Sequence, residues 1–454
     1  MVQVFVDREM ELEALEREYS KDRASLVLIY GRRRVGKTEL VRKFLEGKKG
    51  VYYLADRKGY ESNLRDFQRE VERSLKIKDF SRIMFDGWVS LFARIVDDFP
   101  EDRIVIVIDE FPYMVEEGIL SEFQKAWDLH LSKSKIFMIL VGSSISMMQR
   151  ITMDYGSPLY GRRTAQLKIE KMKFWDAWKF FPKYELLDFL KIYSAVDGIP
   201  HYLLQMTDEK SPEENIKDSI FRRESILYEE AEILLRMELR EFKRYFSILR
   251  AIAEGKRKFS EIAGSTGLDS GSLSKYLSNL KDCGIITTDI PLLGKRKNRR
   301  YRFSDNYFHF WFKFVYPNRS MLEMGKVENV WNYIKEDFQN YLGRVFEDVI
   351  RDIFKHIYPD FTIGVWWDRK GDEIDLLAIN ERKKIAVCGE IKLNKKMNEK
   401  TLEALRKKAG KIRKIQDYNI KLMLCGSRID VQEGENIMIW RCKDIENIIK
   451  EKFW

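Results

Sequence analysis

Three apolar runs in the first 165 residues lack polar alternation: SLVLIYG from Ser25, RIVIVIDE from Arg103 and IFMILVGSS from Ile136. A strand that is hydrophobic at every position is buried on both faces, which predicts a parallel α/β sheet. Between the runs lie stretches with helical spacing, beginning with ELVRKFLEG at Glu39. From Lys168 to Lys217 the pattern is helical and lid-like, broken at GIPHYLL, where Gly-x-Pro sets a bend. KRYFSILRAIAEG, FSEIAGSTG and LDSGSLSKYLSNLKDCG then read as three short helices, the third with Leu273, Tyr276, Leu277 and Leu280 on one face. IITTDIPLL and RYRFSDNYFHFWF read as two strands joined by GKRKNRR, and this order predicts a winged helix-turn-helix. NYIKEDFQNYLGRVFEDVIRDIF is an amphipathic helix. WWDRKGDEIDLLAI turns at Gly371 into a strand, and KKIAVCGEIKL supplies another. Four domains follow: residues 1–165, an α/β core; 166–238, a helical lid; 239–325, the winged helix; and 326–454, a second, smaller α/β domain.

The chemistry sits at the ends of these runs. Residues Gly31, Arg32, Arg33, Arg34, Val35, Gly36, Lys37 and Thr38 spell GRRRVGKT, a full match to the phosphate-binding loop, with a strand before it and a helix after it. Glycines let backbone N–H groups curl round phosphate oxygens, and the helix N-terminus faces the same anion. Lys37 is expected to reach the β- and γ-phosphates of ATP, and the Thr38 hydroxyl to ligate Mg²⁺. Asp109, closing the second run, is expected to hold the Mg²⁺. Glu110 either polarises the attacking water as general base or opens the next loop as a solvated residue. Ser143, after the third run, either senses the γ-phosphate or, with Ser144, caps a helix. PLYGRRT places Arg162 and Arg163 soon afterwards. An arginine there either stabilises the transferring phosphoryl group, in cis or from a neighbouring subunit of a homo-oligomer, or pairs with a carboxylate.

The C-terminal pattern carries a second constellation. Asp375 on one strand, with Glu390 and Lys392 two residues apart on the next, gives the residue types for metal-dependent phosphodiester cleavage. Asp375 and Glu390 would hold Mg²⁺, Lys392 would orient the water, and Glu347 could approach from the helix. The alternative is a buried ion network that only shapes the domain.

Composition changes this picture little. The 454 residues are 44% hydrophobic and 34% charged, too many for one core and too apolar for disorder. No apolar stretch approaches a membrane span, and the N-terminus lacks a signal-peptide pattern. Cys283, Cys388, Cys425 and Cys442 show neither metal-ligand spacing nor disulfide density. A cytoplasmic protein with reduced thiols and no membrane partner is expected. The net charge of +10, with a basic cluster at 294–302, favours a polyanion such as DNA. The winged helix would present Ser272, Ser274, Lys275 and Asn279 to a major groove while its basic wing tracks phosphates; packing beside an ATPase is the other use of such a module.

With FVDREMELEALE, GRRRVGKT, VIVIDEF, LVGSS, PLYGRR and GIPHYL in order, the chain resembles archaeal P-loop ATPases of the AAA+/STAND-related group. Its tail is similar to that family's C-terminal domain of unknown function, classed with PD-(D/E)XK nucleases. The resemblance covers nearly the whole chain. It implies that Phe5 to Arg8 lie near the adenine, that Ser143 is the polar sensor and that Arg162 or Arg163 is the family arginine. It implies also that Asp375, Glu390 and Lys392 form the nuclease motif of a restriction-endonuclease-like fold. Ile374 stands where the motif's proline would be. The functional expectation is an ATPase that gates a nuclease-like tail on DNA, with a nucleotide-dependent switch carrying an inactive tail as the alternative.

Overall fold

The computed structural model describes residues 6–116, 118–239, 241–294, 298–368 and 370–454. Phe5 and the wing residues 295–297 therefore lie outside the described residues. The chain divides into two compact units, the first ending at Met172 and the second running Lys173–Trp454.

The first unit is built on β1 (Ser25–Tyr30), β2 (Gly50–Leu54), β3 (Val105–Asp109), β4 (Phe137–Gly142) and β5 (Ala165–Lys168). They form one sheet in the order β2-β3-β4-β1-β5, with every pairing parallel. β1, β3 and β4 are buried at every residue, as unalternated apolar runs require. Leu26, Leu28, Ile106, Ile108, Met138 and Leu140 share a core with Phe67, Trp88, Phe92 and Phe123 from helices at Tyr60–Leu75, Trp88–Asp98 and Ile119–Leu129. The order sets the site: β4 lies between β1 and β3, so three chain ends emerge side by side on one edge.

The expected boundary at residue 165 cuts through a strand. Ala165 pairs with Val27 and Lys168 with Tyr30, so the core runs on to Met172. β5 is a short edge strand with half-exposed and exposed residues, and it carries no apolar run of its own. The helices expected as a lid belong to the second unit. Tyr341 Oη donates to Ser194 O at 2.7 Å, and Trp311 Nε1 donates to Tyr228 O at 2.7 Å. The bend at Gly-x-Pro is present: Asp197 is left-handed (φ 59°), and Pro200 opens a new helical turn, where a missing N–H costs nothing. It lies in the second unit.

Helices Phe242–Ala253, Phe259–Thr266 and Ser270–Asp282 lead into the hairpin β6 (Ile286–Asp289) and β7 (Arg300–Phe303). This is the winged helix-turn-helix, with Leu273, Tyr276, Leu277 and Leu280 buried as their spacing predicts. The second expected strand is shorter than RYRFSDNYFHFWF. Asp305 accepts from Phe308 N at 2.9 Å and caps a helix at Asn306–Phe310, so the apolar residues beyond it pack with helical spacing.

The tail is a mixed α/β domain. Helix Val327–Ile357 precedes β8 (Thr362–Trp367), β9 (Glu373–Asn380), β10 (Ile385–Asn398), β11 (Asn419–Asp430) and β12 (Ile437–Arg441), ordered β12-β11-β10-β9-β8. β10 is antiparallel to β9 and parallel to β11. Among the described residues no helix is long and apolar enough to cross a membrane.

Candidate functional site

Tyr30 pairs with Gly142 and Leu54 with Asp109, so the loop after β1 meets the ends of β3 and β4. The loop is tight: a Cβ on Gly31 would stand 2.2 Å from Ile169 O, and Arg34 (φ 70°) and Gly36 (φ 92°) are both left-handed. Such turns make a concave nest of N–H groups that fits the phosphates of ATP. Lys37 Nζ donates to Arg32 O at 2.9 Å. Arg33 donates to the Tyr113 hydroxyl, while Arg57 covers the Tyr113 ring at 4.5 Å.

Thr38 Oγ1 donates to Asp109 Oδ2 at 2.7 Å, and Asp109 is 2% exposed. Hydroxyl and carboxylate are hard oxygen donors, the set that fits Mg²⁺. Ser143 Oγ donates to Glu110 Oε1 at 2.6 Å, bringing the expected sensor and the expected base together. Glu110 itself is left-handed, with φ 51°.

One residue of this cluster was not foreseen. Tyr52 Oη donates to the same Asp109 Oδ2 at 2.7 Å. Burial and the neighbouring Asp109 charge push the Tyr52 phenol well above its ordinary range, so it stays a donor. Its strand, GVYYL, is short and only partly buried, and its adjacency to β3 leaves no mark in the sequence.

Two further expected members, Arg8 and Arg162, are held by partners of their own. Arg8 is buried and donates to Val35 O at 3.0 Å and Glu170 O at 2.6 Å, with Glu11 Oε1 at 2.9 Å. Through Val35 O it braces the phosphate loop. Arg162 precedes β5 at the far edge of the sheet, where Thr164 N donates to Leu26 O, and Leu26 to Gly31 spans roughly 16 Å of strand. Its guanidinium makes two bonds to Asp128, at 2.8 and 2.7 Å.

In the tail, Asp375 Oδ2 accepts from Lys392 Nζ at 2.6 Å and from Ile391 N at 2.9 Å. Lys392 Nζ also stands 3.3 Å from Glu390 Oε1, so both carboxylates converge on one cation. Lys408 Nζ takes Glu390 Oε2 at 2.9 Å. Burial raises the Asp375 carboxyl above its usual range despite Lys392. Burial opposes the Lys392 charge, but Asp375 and Glu390 outweigh it and raise that group. Glu347, on the facing helix, is pushed up to about 8 by burial and then by Asp375. The three expected carboxylates do not close into a cage: among the described residues no three His, Cys, Asp or Glu groups are set to hold a metal. Oxygen donors sharing an ammonium suit a divalent cation in kind, with two ligands gathered and Glu347 held beside Arg351 at 4.0 Å.

Comparison with known proteins agrees with this geometry. A family described as an ATPase domain predominantly from Archaea matches residues 5–206. The uncharacterized protein MJECL04 of Methanocaldococcus jannaschii is 35% identical over 456 residues, covering 97% of this chain and 100% of that one. The chain belongs to this archaeal P-loop ATPase family. In the same organism, the uncharacterized ATP-binding protein MJ0423 is 59% identical to the ATPase over 46 residues, 10% of this chain and 78% of that one. The Walker-type ATPase paby2304 of Pyrococcus abyssi shares the fold, with TM-score 0.52 and 22% identity over 68% of this chain and 96% of that one. Residues 246–288 match the bacterial regulatory protein family arsR, in register with the winged helix. Residues 311–405 match a family of archaeal and bacterial proteins of unknown function.

Proposed function

We propose that this ATPase hydrolyses Mg²⁺–ATP and uses the cycle to control metal-dependent cleavage of DNA by its C-terminal domain. The convergence of Asp375 and Glu390 on the Lys392 ammonium is the observation that carries the second half. Carboxylates drawn to one point in a buried strand pair cost folding free energy, and phosphodiester chemistry is a use for them. The winged helix, whose exposed Ser274 and Lys275 lie on its last helix, would hold the nucleic acid.

In the ATPase site Lys37 and the loop N–H groups bind and orient the phosphates, and Thr38 with Asp109 holds the ion. Mg²⁺, when bound there, would neutralise phosphate charge. Glu110 accepts the proton of the attacking water, and Ser143 keeps its carboxylate aimed until a γ-phosphate competes for the hydroxyl. Arg162 would act from a second subunit in a homo-oligomer. In the tail, Lys392 orients water and Asp375 with Glu390 provides the divalent-ion ligands.

The test is DNA cleavage with Mg²⁺ or Mn²⁺, with and without ATP, for wild type and Asp375→Ala. Cleavage lost in the variant establishes the nuclease, and its dependence on ATP establishes the coupling. A second reading, a nucleotide switch with a catalytically silent tail, is favoured by Lys408, which occupies the other Glu390 oxygen. It is the outcome if linear, supercoiled and branched DNA all remain intact while DNA binding still follows the nucleotide.

A further inference from the structure

Asp375, Lys392 and Glu347 open into a cavity of about 310 Å³ that the winged helix helps to close. Its walls include Arg257, Tyr301 and Arg302 from the winged helix and Arg344, Asp375 and Lys392 from the tail. The wing is anchored there. Leu292 N donates to Val365 O at 2.7 Å, and Arg300 pairs with Glu373 at 3.3 Å while lying 4.2 Å over the Trp367 ring. Arg302 joins Asp289 at 2.7 Å and Asp348 at 3.3 Å. The expectation that the wing tracks phosphates along a duplex therefore meets a wing whose Arg300 and Arg302 pair with tail carboxylates, while Arg299 stays exposed.

Size and chemistry then restrict what can enter. A space of this volume matches a single small-molecule-sized unit. A double helix is a rigid rod with grooves about 12 Å wide, and its phosphates cannot follow a wall into such a cavity. A nucleotide reaches Asp375 only after leaving the stack. The lining alternates guanidinium groups, which match phosphate oxygens, with flat rings. Burial holds His309 neutral, down at about 3, and its ring lies 5.1 Å from that of Phe303, 14° from parallel. Charge is nearly balanced: Asp289, Asp348 and Glu373 answer Arg302, Arg257 and Arg300 in ion pairs. Arg344 is exposed at the wall, where it can meet an incoming anion.

We infer that this site takes a single-stranded end or a splayed strand of nucleic acid, one nucleotide at a time, and not the interior of a duplex. The inference rests on the reading of Asp375 and Glu390 as a phosphodiester site. It concerns which substrate reaches them with the wing in place.

The experiment uses the full chain with Ca²⁺ and a fluorescent single-stranded oligonucleotide, against the blunt duplex of the same sequence, read by anisotropy. The single strand is expected to bind at least about tenfold tighter, and Arg344→Ala to weaken it severalfold at unchanged melting temperature. A duplex bound equally well, or single-strand binding indifferent to Arg344→Ala, overturns the inference. A disulfide lock gives the second arm. A Cβ on Gly364 would stand 3.3 Å from that of Leu292, close to disulfide spacing, so L292C/G364C can fix the wing. Single-strand binding that survives oxidation supports the inference; binding lost on oxidation and restored by reductant means the wing must open, and sinks it. Tight single-strand binding without Asp375-dependent cleavage in Mg²⁺ would remove the nuclease reading on which the inference rests, whereas cleavage without a single-strand preference would remove the inference alone.

Discussion

Asp109 accepts two hydroxyl hydrogen bonds on one oxygen, from Thr38 and Tyr52, and this fixes its second oxygen toward Glu110 N at 2.8 Å. A hydrogen bond to a charged group is worth about 1.5–3 kcal/mol, so Tyr52→Phe is expected to raise the Mg²⁺ needed for half-maximal ATPase rate severalfold. Nucleotide binding without metal should be unchanged, which a titration in EDTA checks. Lys37→Ala should abolish nucleotide binding by calorimetry. Glu110→Gln should keep binding and lower turnover by about a hundredfold or more, the usual yield of a general base. Wild-type turnover in that variant would remove Glu110 from the mechanism. Glu347 sets a pH dependence. Its folded carboxyl titrates near 8, above the ordinary value of 4.5, so the folded state keeps a proton that the unfolded chain releases. The stability it contributes is present below 4.5 and is lost as pH rises through 8. Melting temperature should therefore fall more steeply between those limits in wild type than in Glu347→Gln.

At the scale of elements, Gly426 pairs with Lys392, and a Cβ on it would stand 2.1 Å from Lys392 O. Gly426→Ala is expected to push β11 off β10 and cost at least about 2 kcal/mol, read by thermal unfolding. Any cleavage activity should fall with it, because the Lys392 backbone moves. The buried strands were legible because unbroken apolar runs carry their own signal, and the third winged-helix helix was legible from the spacing of four residues. β5 was not, since its partner β1 supplies the hydrogen bonds and its own residues are only partly buried. The helix at Asn306 was misread because SDNYFHFWF is aromatic enough for either state, and the Asp305 cap decides it. Among site residues, Thr38 could be named from the phosphate-loop motif, and Asp109, Glu110 and Ser143 because they close apolar runs. Tyr52 and the position of Arg162 depend on strand order, which no local pattern encodes.

At the scale of the molecule, each unit carries its own cluster of carboxylates, and the proposal of a second subunit has its own test. If Arg162 serves a neighbour, Arg162→Ala and Lys37→Ala proteins should each lack turnover. Mixed together they should regain part of it, as subunits with an intact phosphate loop meet subunits with an intact arginine. Mixtures as inactive as their components would leave Arg162 a partner of Asp128 and nothing more.

The Lys392 ammonium between Asp375 and Glu390 has a consequence for how such domains drift over generations. Because a residue of the chain itself offsets the carboxylate charges, folding of the tail would not call for a divalent ion. Selection for folding and selection for any chemistry at these carboxylates would thereby be separable. A descendant could lose its chemistry by one substitution at the rim, keep the same sheet, and be recruited as an adaptor. Sister lineages would then pair one architecture with opposite trades.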